Sequence, residues 1–225
     1  MRQRRKTANK QVRTPGRPRA FDPEKALDRA LRVFWKHGYE GASLADLTEA
    51  MGINRPSMYA AFGNKEALFR KVLDRYGESA GVYQQEALKE PTARGAVKKI
   101  LLGAAEALGD ARHPRGCLLV QGGLACGDES NAVRRELCAR RGEGEAAIRE
   151  RLERAKAEGD LPAGADAAEL AGYVTAVLQG MSVQAAGGAG REKLRGIAER
   201  AMAAWPEARE GVALSATSAE SPSRL

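Results

Sequence analysis

The sequence predicts an all-α fold of about nine helices, arranged as an N-terminal three-helix unit containing a helix-turn-helix and a larger helical second domain. Three observations predict it. Apolar residues recur at the 3.6-residue period from Asp22 to about Trp205, no stretch alternates apolar and polar residues for long enough to make a strand, and glycine, proline and capping residues punctuate the chain at helix-like intervals. A length of 225 residues suits one or two domains with a sizeable core.

Ahead of the first helix, residues 1–19 read as a disordered basic arm. The formal net charge is +8, and this arm holds eight basic side chains, Arg17 and Arg19 among them, with no acidic one. That leaves 29 of the 37 basic residues to balance the 29 acidic ones in the body. A basic arm before a neutral body suits contact with a polyanion. Its last four residues, Gly16-Arg17-Pro18-Arg19, form a compact, proline-kinked unit that can set arginines into the narrow minor groove of A·T-rich DNA. A solvated tail that aids solubility would have the same composition.

The first helix is expected over 23–37. Asp22 caps it, Pro23 suits its first turn, Leu27, Leu31 and Phe34 share a face with Ala26, Ala30 and Val33, and Gly38 stops it. Ser43-Leu44-Ala45-Asp46 opens a short second helix as a capping-box variant, with Leu44, Leu47 and Ala50 leading to Gly52. Gly52, Ile53 and Asn54 then supply a left-handed turn, an apolar plug and a new cap. The third helix spans 55–62, tolerating Pro56 in its first turn, and after Gly63 the residue Asn64 caps a fourth helix beginning at Lys65. Two short helices joined by a three-residue glycine turn, preceded by a packing helix, form the helix-turn-helix pattern, whose second helix enters the major groove. Leu44, Leu47, Ile53, Met58 and Phe62 can fold inward there, while Arg55, Ser57, Tyr59 and Ala60 face out. Any three-helix unit shares glycine turns and apolar spacing, so this pattern alone does not settle the use.

From residue 82 onward helical periodicity continues. Thr92 caps a helix with Val97, Ile100, Leu101, Ala104 and Leu108 on one face, and a short helix begins at 116–120. A long charged helix follows at about 131–158, then helices at about 166–186 and 191–205. The last two are apolar over wide faces and rich in Ala and Gly (Ala171, Gly172, Ala176, Gly180), which suits either a four-helix interface between two copies or burial within one subunit. Residues 206–225 read as a disordered tail.

Several classes are excluded. The longest apolar runs fall far short of the roughly 18 residues of a membrane span, and no leader pattern opens the chain, so the expected location is the cytoplasm. Three cysteines without a C-x-x-C and two histidines support neither a disulfide framework nor a zinc site, and no cofactor or metal is expected. Dinucleotide, Walker, nucleophile-elbow and H-E-x-x-H motifs are all lacking, which argues against an enzyme. Cys117, four residues after His113 and near Arg115 at a helix start, has a setting that lowers a thiol pKa, so a redox sensor is one reading and a structural cysteine the other.

The stretch from Phe21 to about Gly81, above all GASLADLTEAMGINRPSMYAAFGNKEALF, resembles the N-terminal domain of TetR-family transcriptional regulators. It shares the hydroxyl residue opening helix two (Ser43), the aromatic of the third helix (Tyr59), its closing Phe62 and the Lys65 that begins helix four. It departs at Ala61, where the family often has a histidine, so no backbone contact is carried onto Ala61. The resemblance implies a DNA-binding domain over 20–80, with its helix-turn-helix at 43–62, and a regulatory and dimerisation domain over 82–205 with a small-molecule inducer pocket. Segments that could line such a pocket carry Leu101, Ala105, Leu118, Val120, Gln121, Leu124 and Tyr173.

On DNA, phosphate contacts position the protein and base contacts specify the site. Ser43 and Lys65, at or near helix N-termini, are the positioning residues. Tyr59 reaches a phosphate or base edge through its hydroxyl, or covers a core gap with its ring. Arg55 at the start of the recognition helix is the bidentate reader of guanine, with Pro56, Ser57 and Ala60 supplying close approach, a hydroxyl and methyl packing. The expected function is therefore a dimeric, sequence-specific regulator bound to a double-stranded operator, most often a repressor in this family. A non-specific architectural DNA-binding protein is the alternative.

Overall fold

The spacing of buried side chains assembles ten helices among the described residues of the computed structural model, which are 21–124, 127 and 130–206. In order they are α1 (Pro23–Gly41), α2 (Leu44–Met51), α3 (Arg55–Phe62), α4 (Lys65–Ala80), α5 (Val82–Ala87), α6 (Ala93–Leu108), α7 (Leu118–Leu124), α8 (Asn131–Ala157), α9 (Ala167–Ala186) and α10 (Arg191–Ala203). No strand occurs among the described residues, and no helix there is long and apolar enough to cross a membrane. The arm, with Arg17 and Arg19, and the tail beyond residue 206 lie outside the described residues.

Two details differ from the sequence expectation. Gly38 does interrupt α1, at φ 71°, yet the chain resumes a helical turn to Gly41 beyond the kink. A tenth helix, α5, follows α4 through Gly81, which keeps helical dihedrals (φ −80°, ψ −17°) and donates its N–H to the Gly77 carbonyl.

Burial divides the helices between two cores. Ala26, Ala30, Phe34, Leu47, Met58, Phe62, Leu68, Phe69, Val72 and Leu73 form the first around α1–α4. Phe34 meets Phe69 edge-on, with ring centroids 4.9 Å apart. Ile100, Leu101, Ala104, Leu152, Val174, Met181, Leu194 and Trp205 belong to the second, built from α6, α8, α9 and α10. Leu118, Val133 and Leu137, from α7 and α8, join the first core. Truncating a fully buried leucine such as Leu47 would cost about 2–5 kcal/mol, so these contacts hold α7 and the start of α8 firmly to α1–α4.

Candidate nucleic-acid interface

The turn between α2 and α3 is set by three residues. Gly52 takes the left-handed conformation (φ 68°), and its N–H and that of Ile53 bond the Glu49 and Thr48 carbonyls, each at 3.1 Å. A side chain would be strained at that φ. Asn54 then accepts the Ser57 N–H on its side chain at 2.9 Å, starting α3. Pro56 falls where its missing N–H leaves no bond unmade. Met58 and Phe62 are buried and hold the helix down, while Arg55, Pro56, Tyr59 and Ala60 are exposed and Ser57 is half-buried. The Tyr59 ring is 46% exposed, so it projects to solvent and fills no core gap.

At the N-terminus of α2, Ser43 and Asp46 close a full capping box. The Asp46 N–H donates to Ser43 Oγ at 3.1 Å, and the Ser43 N–H donates to Asp46 Oδ2 at 3.1 Å. The Ser43 hydroxyl proton also points to Asp46 Oδ2, at 2.6 Å. These bonds hold the Asp46 carboxyl below its ordinary value of 3.8, the hydroxyl contributing most and the N–H next. Both Ser43 donors are thereby engaged within the box.

Lys65 opens α4 behind the Asn64 cap, whose side chain accepts the Ala67 N–H at 2.8 Å. Its ammonium sits 4.6 Å from the centre of the Tyr39 ring, where burial lowers its pKa against the opposing pull of Glu40. Sequence reasoning missed both partners, since nothing local ties residues 39 and 40 to residue 65. Phe21, which follows the arm, packs on Phe62 with ring centroids 6.3 Å apart. The chain therefore enters the fold beside the end of α3.

The second domain's expected lining residues are spread over α6, α7 and α9. Leu101 and Ala105 lie in the second core, and Leu118 in the first. Val120 is buried, Gln121 donates to the Arg115 carbonyl at 3.2 Å, and Tyr173 is 39% exposed with its hydroxyl on the Ala201 carbonyl at 3.3 Å. Leu124 ends α7, and its side chain is outside the described ones. Two open depressions occur elsewhere. One of about 420 Å³ lies between α1, α4 and the turn before α7, walled by Trp35, Arg75 and His113, and one of about 550 Å³ runs along α5, α6 and α10. Neither is lined by any residue of the expected set.

Cys117 occupies a junction that the sequence did not disclose. Its N–H donates to Ser182 Oγ on α9 at 2.8 Å, and Tyr76 on α4 donates its hydroxyl to Cys117 Sγ at 3.3 Å. The preceding carbonyl, of Gly116, accepts the Trp35 indole N–H from α1 at 3.0 Å. His113 stacks on Trp35 with ring centroids 5.7 Å apart. Arg115 extends toward Gly188. Burial, with Cys117 next in effect, pushes the Tyr76 phenol well above its ordinary range, and burial also raises Tyr83 to about 12.

Comparison with known proteins now adds the family. Residues 26–72 match the family described as "Bacterial regulatory proteins, tetR family", and residues 95–187 match "Tetracyclin repressor-like, C-terminal domain". The HTH-type transcriptional repressor ComR of Escherichia coli K12 is 37% identical over 194 residues, which cover 85% of this chain and 92% of ComR. The chain is similar to a cysteine-substituted form of the TetR family transcriptional regulator CifR complexed with 26-base-pair double-strand operator DNA. That match has 50% identity and a TM-score of 0.82, covering 84% of this chain and 100% of CifR. A TetR transcriptional regulator from Chloroflexus aurantiacus shares the fold at 20% identity and a TM-score of 0.72, over 80% of this chain and 91% of its own. Helix-turn-helix, helical second domain and relatives agree: the chain belongs to the TetR family of DNA-binding transcriptional regulators.

Proposed function

We propose that this regulator is a cytoplasmic homodimer that represses transcription from a specific double-stranded operator and leaves it when a small-molecule inducer binds the second domain. The observation that carries the reading is α3: a short helix fixed by Met58 and Phe62, with Arg55, Pro56, Tyr59 and Ala60 turned outward. That the relative ComR is named a repressor, and that CifR was solved with its operator, supports repression and operator binding here.

In this mechanism residues 20–80 bind DNA and residues 82–205 carry regulation and dimerisation. Arg55 at the start of α3 reads guanine through two parallel N–H bonds, and Tyr59, Pro56, Ser57 and Ala60 complete the groove contact. Lys65 meets a phosphate at the N-terminus of α4, where backbone N–H groups add their own attraction. Ser43 meets a second phosphate when its hydroxyl turns from Asp46. Arg17 and Arg19 extend the contact into the adjacent minor groove. Two copies set two recognition helices about 34 Å apart, one helical turn of DNA. An inducer acts through its differential affinity for dimers that match this spacing and dimers that do not.

Selection of genomic fragments by the purified full chain, followed by titration of the recovered fragment at two salt concentrations, tests the reading. A short palindromic site with a large preference over random DNA is expected. Weak, sequence-indifferent binding that vanishes with salt would instead make the protein a non-specific architectural one held by its arm.

The contacts at Cys117 favour a second route of release. Its thiol accepts from α4 and its backbone N–H donates to α9, so oxidation by a hydroperoxide to the sulfenic acid, with the O–O bond broken and the alcohol or water released, would disturb the Tyr76 bond on the sulfur directly, beside the backbone bond to Ser182. Peroxide-dependent loss of operator binding that disappears in Cys117→Ser is expected; release unchanged in that variant removes this route.

A further inference from the structure

Arg151 has a surrounding unlike that of any other cation described here. It lies on α8 with Ile148, Leu152 and Ala155 and is only 4% exposed. A guanidinium stays charged and carries five N–H donors. Its Nη2 donates to the Glu90 carbonyl at 2.8 Å and the Pro91 carbonyl at 3.0 Å, in the turn between α5 and α6. Nε and Nη1, which hold the remaining donors, are buried without a partner. Among the described residues no carboxylate pairs with it. A buried charge without a counter-ion is among the costliest arrangements in a folded core.

Among the described residues, the one other buried side-chain atom without a partner is Thr175 Oγ1, on α9. A helical threonine ordinarily donates back along its own helix, as Thr48 does to the Leu44 carbonyl at 2.8 Å. Arg151 lies six residues before the end of α8, and Thr175 eight residues after the start of α9. The two helices are joined by residues 158–166 and pack along each other. At about 1.5 Å per residue, the two groups stand roughly 9 and 12 Å from that connection. All the unpartnered donors therefore lie within about two turns of one connection, on a helix pair whose other buried side chains in that stretch, such as Leu152, Ala171 and Val174, are apolar.

We propose that this stretch of the second domain is an anion site for a small carboxylate ligand with an apolar remainder. Arg151 supplies the charge and N–H donors, Thr175 a hydroxyl donor, and the surrounding core receives the remainder. A single cation in apolar surroundings matches a monoanion; a phosphate dianion would bring a second charge with nothing to meet it. The proposal rests on the inducer reading above and names the inducer's chemical class. Arg151 also supports the turn before α6, and α5 continues α4, so occupancy bears on the helix that reaches the DNA-binding domain.

Thermal unfolding of the full chain at constant ionic strength and pH 7 tests it, with sodium butyrate and sodium benzoate against butyramide and benzamide. Both carboxylates should raise the midpoint in a saturable way, and the amides should leave it unchanged. Arg151→Met keeps similar volume, removes the charge and should abolish the response; Thr175→Val should weaken apparent affinity about tenfold. Equal shifts from acids and amides, no shift from either acid, or an undiminished response in Arg151→Met overturns the site. If Arg151→Met does not fold, Thr175→Val and the acid–amide contrast in the native chain still decide. Release from the selected DNA fragment is read separately. A carboxylate response without release supports the anion site and overturns its role as inducer site.

Discussion

Gly116 shows how one residue can answer to several constraints at once. Its φ is +81°, and a Cβ built on it would stand 1.8 Å from Gln121 Nε2 and 3.1 Å from the Ser182 carbonyl oxygen. Gly116→Ala must therefore displace Gln121 from the Arg115 carbonyl and strain the backbone beside Cys117. A loss of about 1–3 kcal/mol is expected in denaturant unfolding. Gly159→Ala shares the positive φ, at +78°, but meets nothing within 4 Å, and should cost distinctly less. Equal losses would show that the contacts at Gly116 contribute nothing. On DNA, Arg55→Ala should lower discrimination between the preferred and altered guanine positions by about 1–3 kcal/mol; uniform weakening across sequences would remove Arg55 as the reader. Arg55 was legible because its position on α3 follows from local spacing. The partners of Cys117 were not: His113 and Arg115, near in sequence, meet Trp35 and Gly188, whereas Tyr76 and Ser182 arrive from distant segments.

For the helices, the local signals carried most of the architecture. Asp22, Asn54, Asn64, Thr92 and Asp166 all accept backbone N–H bonds at helix starts, and each is a residue type that competes for such positions. What periodicity could not show was the division at Gly81, where α4 ends and α5 begins although helical periodicity runs on. Among these caps, Ser43 and Asp46 make the most complete set. Ser43→Ala should cost about 1 kcal/mol. The Asp46 carboxyl has a folded pKa below its ordinary value of 3.8, so its stabilisation is fully present above that value. It is lost as pH falls through the lowered folded value. Unfolding midpoints of the native chain should thus fall as the pH drops below about 4, and more shallowly in Asp46→Asn, which carries no proton to gain. Identical slopes in the two proteins would mean that the capping box does not persist in solution.

Considered as a whole molecule, the basic excess and the uncovered side of α9 call for partners. Deleting residues 2–19 should reduce the slope of log affinity against log salt by about 0.9 for each phosphate the arm neutralises, and an unchanged slope would make the arm a spectator. The proposed dimer rests on α9. Its side chains are apolar nearly all round, a pattern that belongs to helices covered on every side. In one copy of the chain, however, Val183 is 50% exposed and Tyr173 39% exposed, and nothing stands within 4 Å of a Cβ built on Gly172 or Gly180. A second copy across a twofold axis would cover this face, and small residues there let the two backbones approach. Because such an interface sets the same patch against itself, Val183→Lys introduces two charges into it at once. The variant should sediment as a monomer at concentrations where the native chain is a dimer, with unchanged helicity. It should also lose at least about tenfold in affinity for a palindromic site, since each half-site then binds alone. Tyr59→Ala provides the contrast, weakening DNA binding while leaving the dimer intact. A Val183→Lys protein that remains dimeric would place the interface on another face of the second domain.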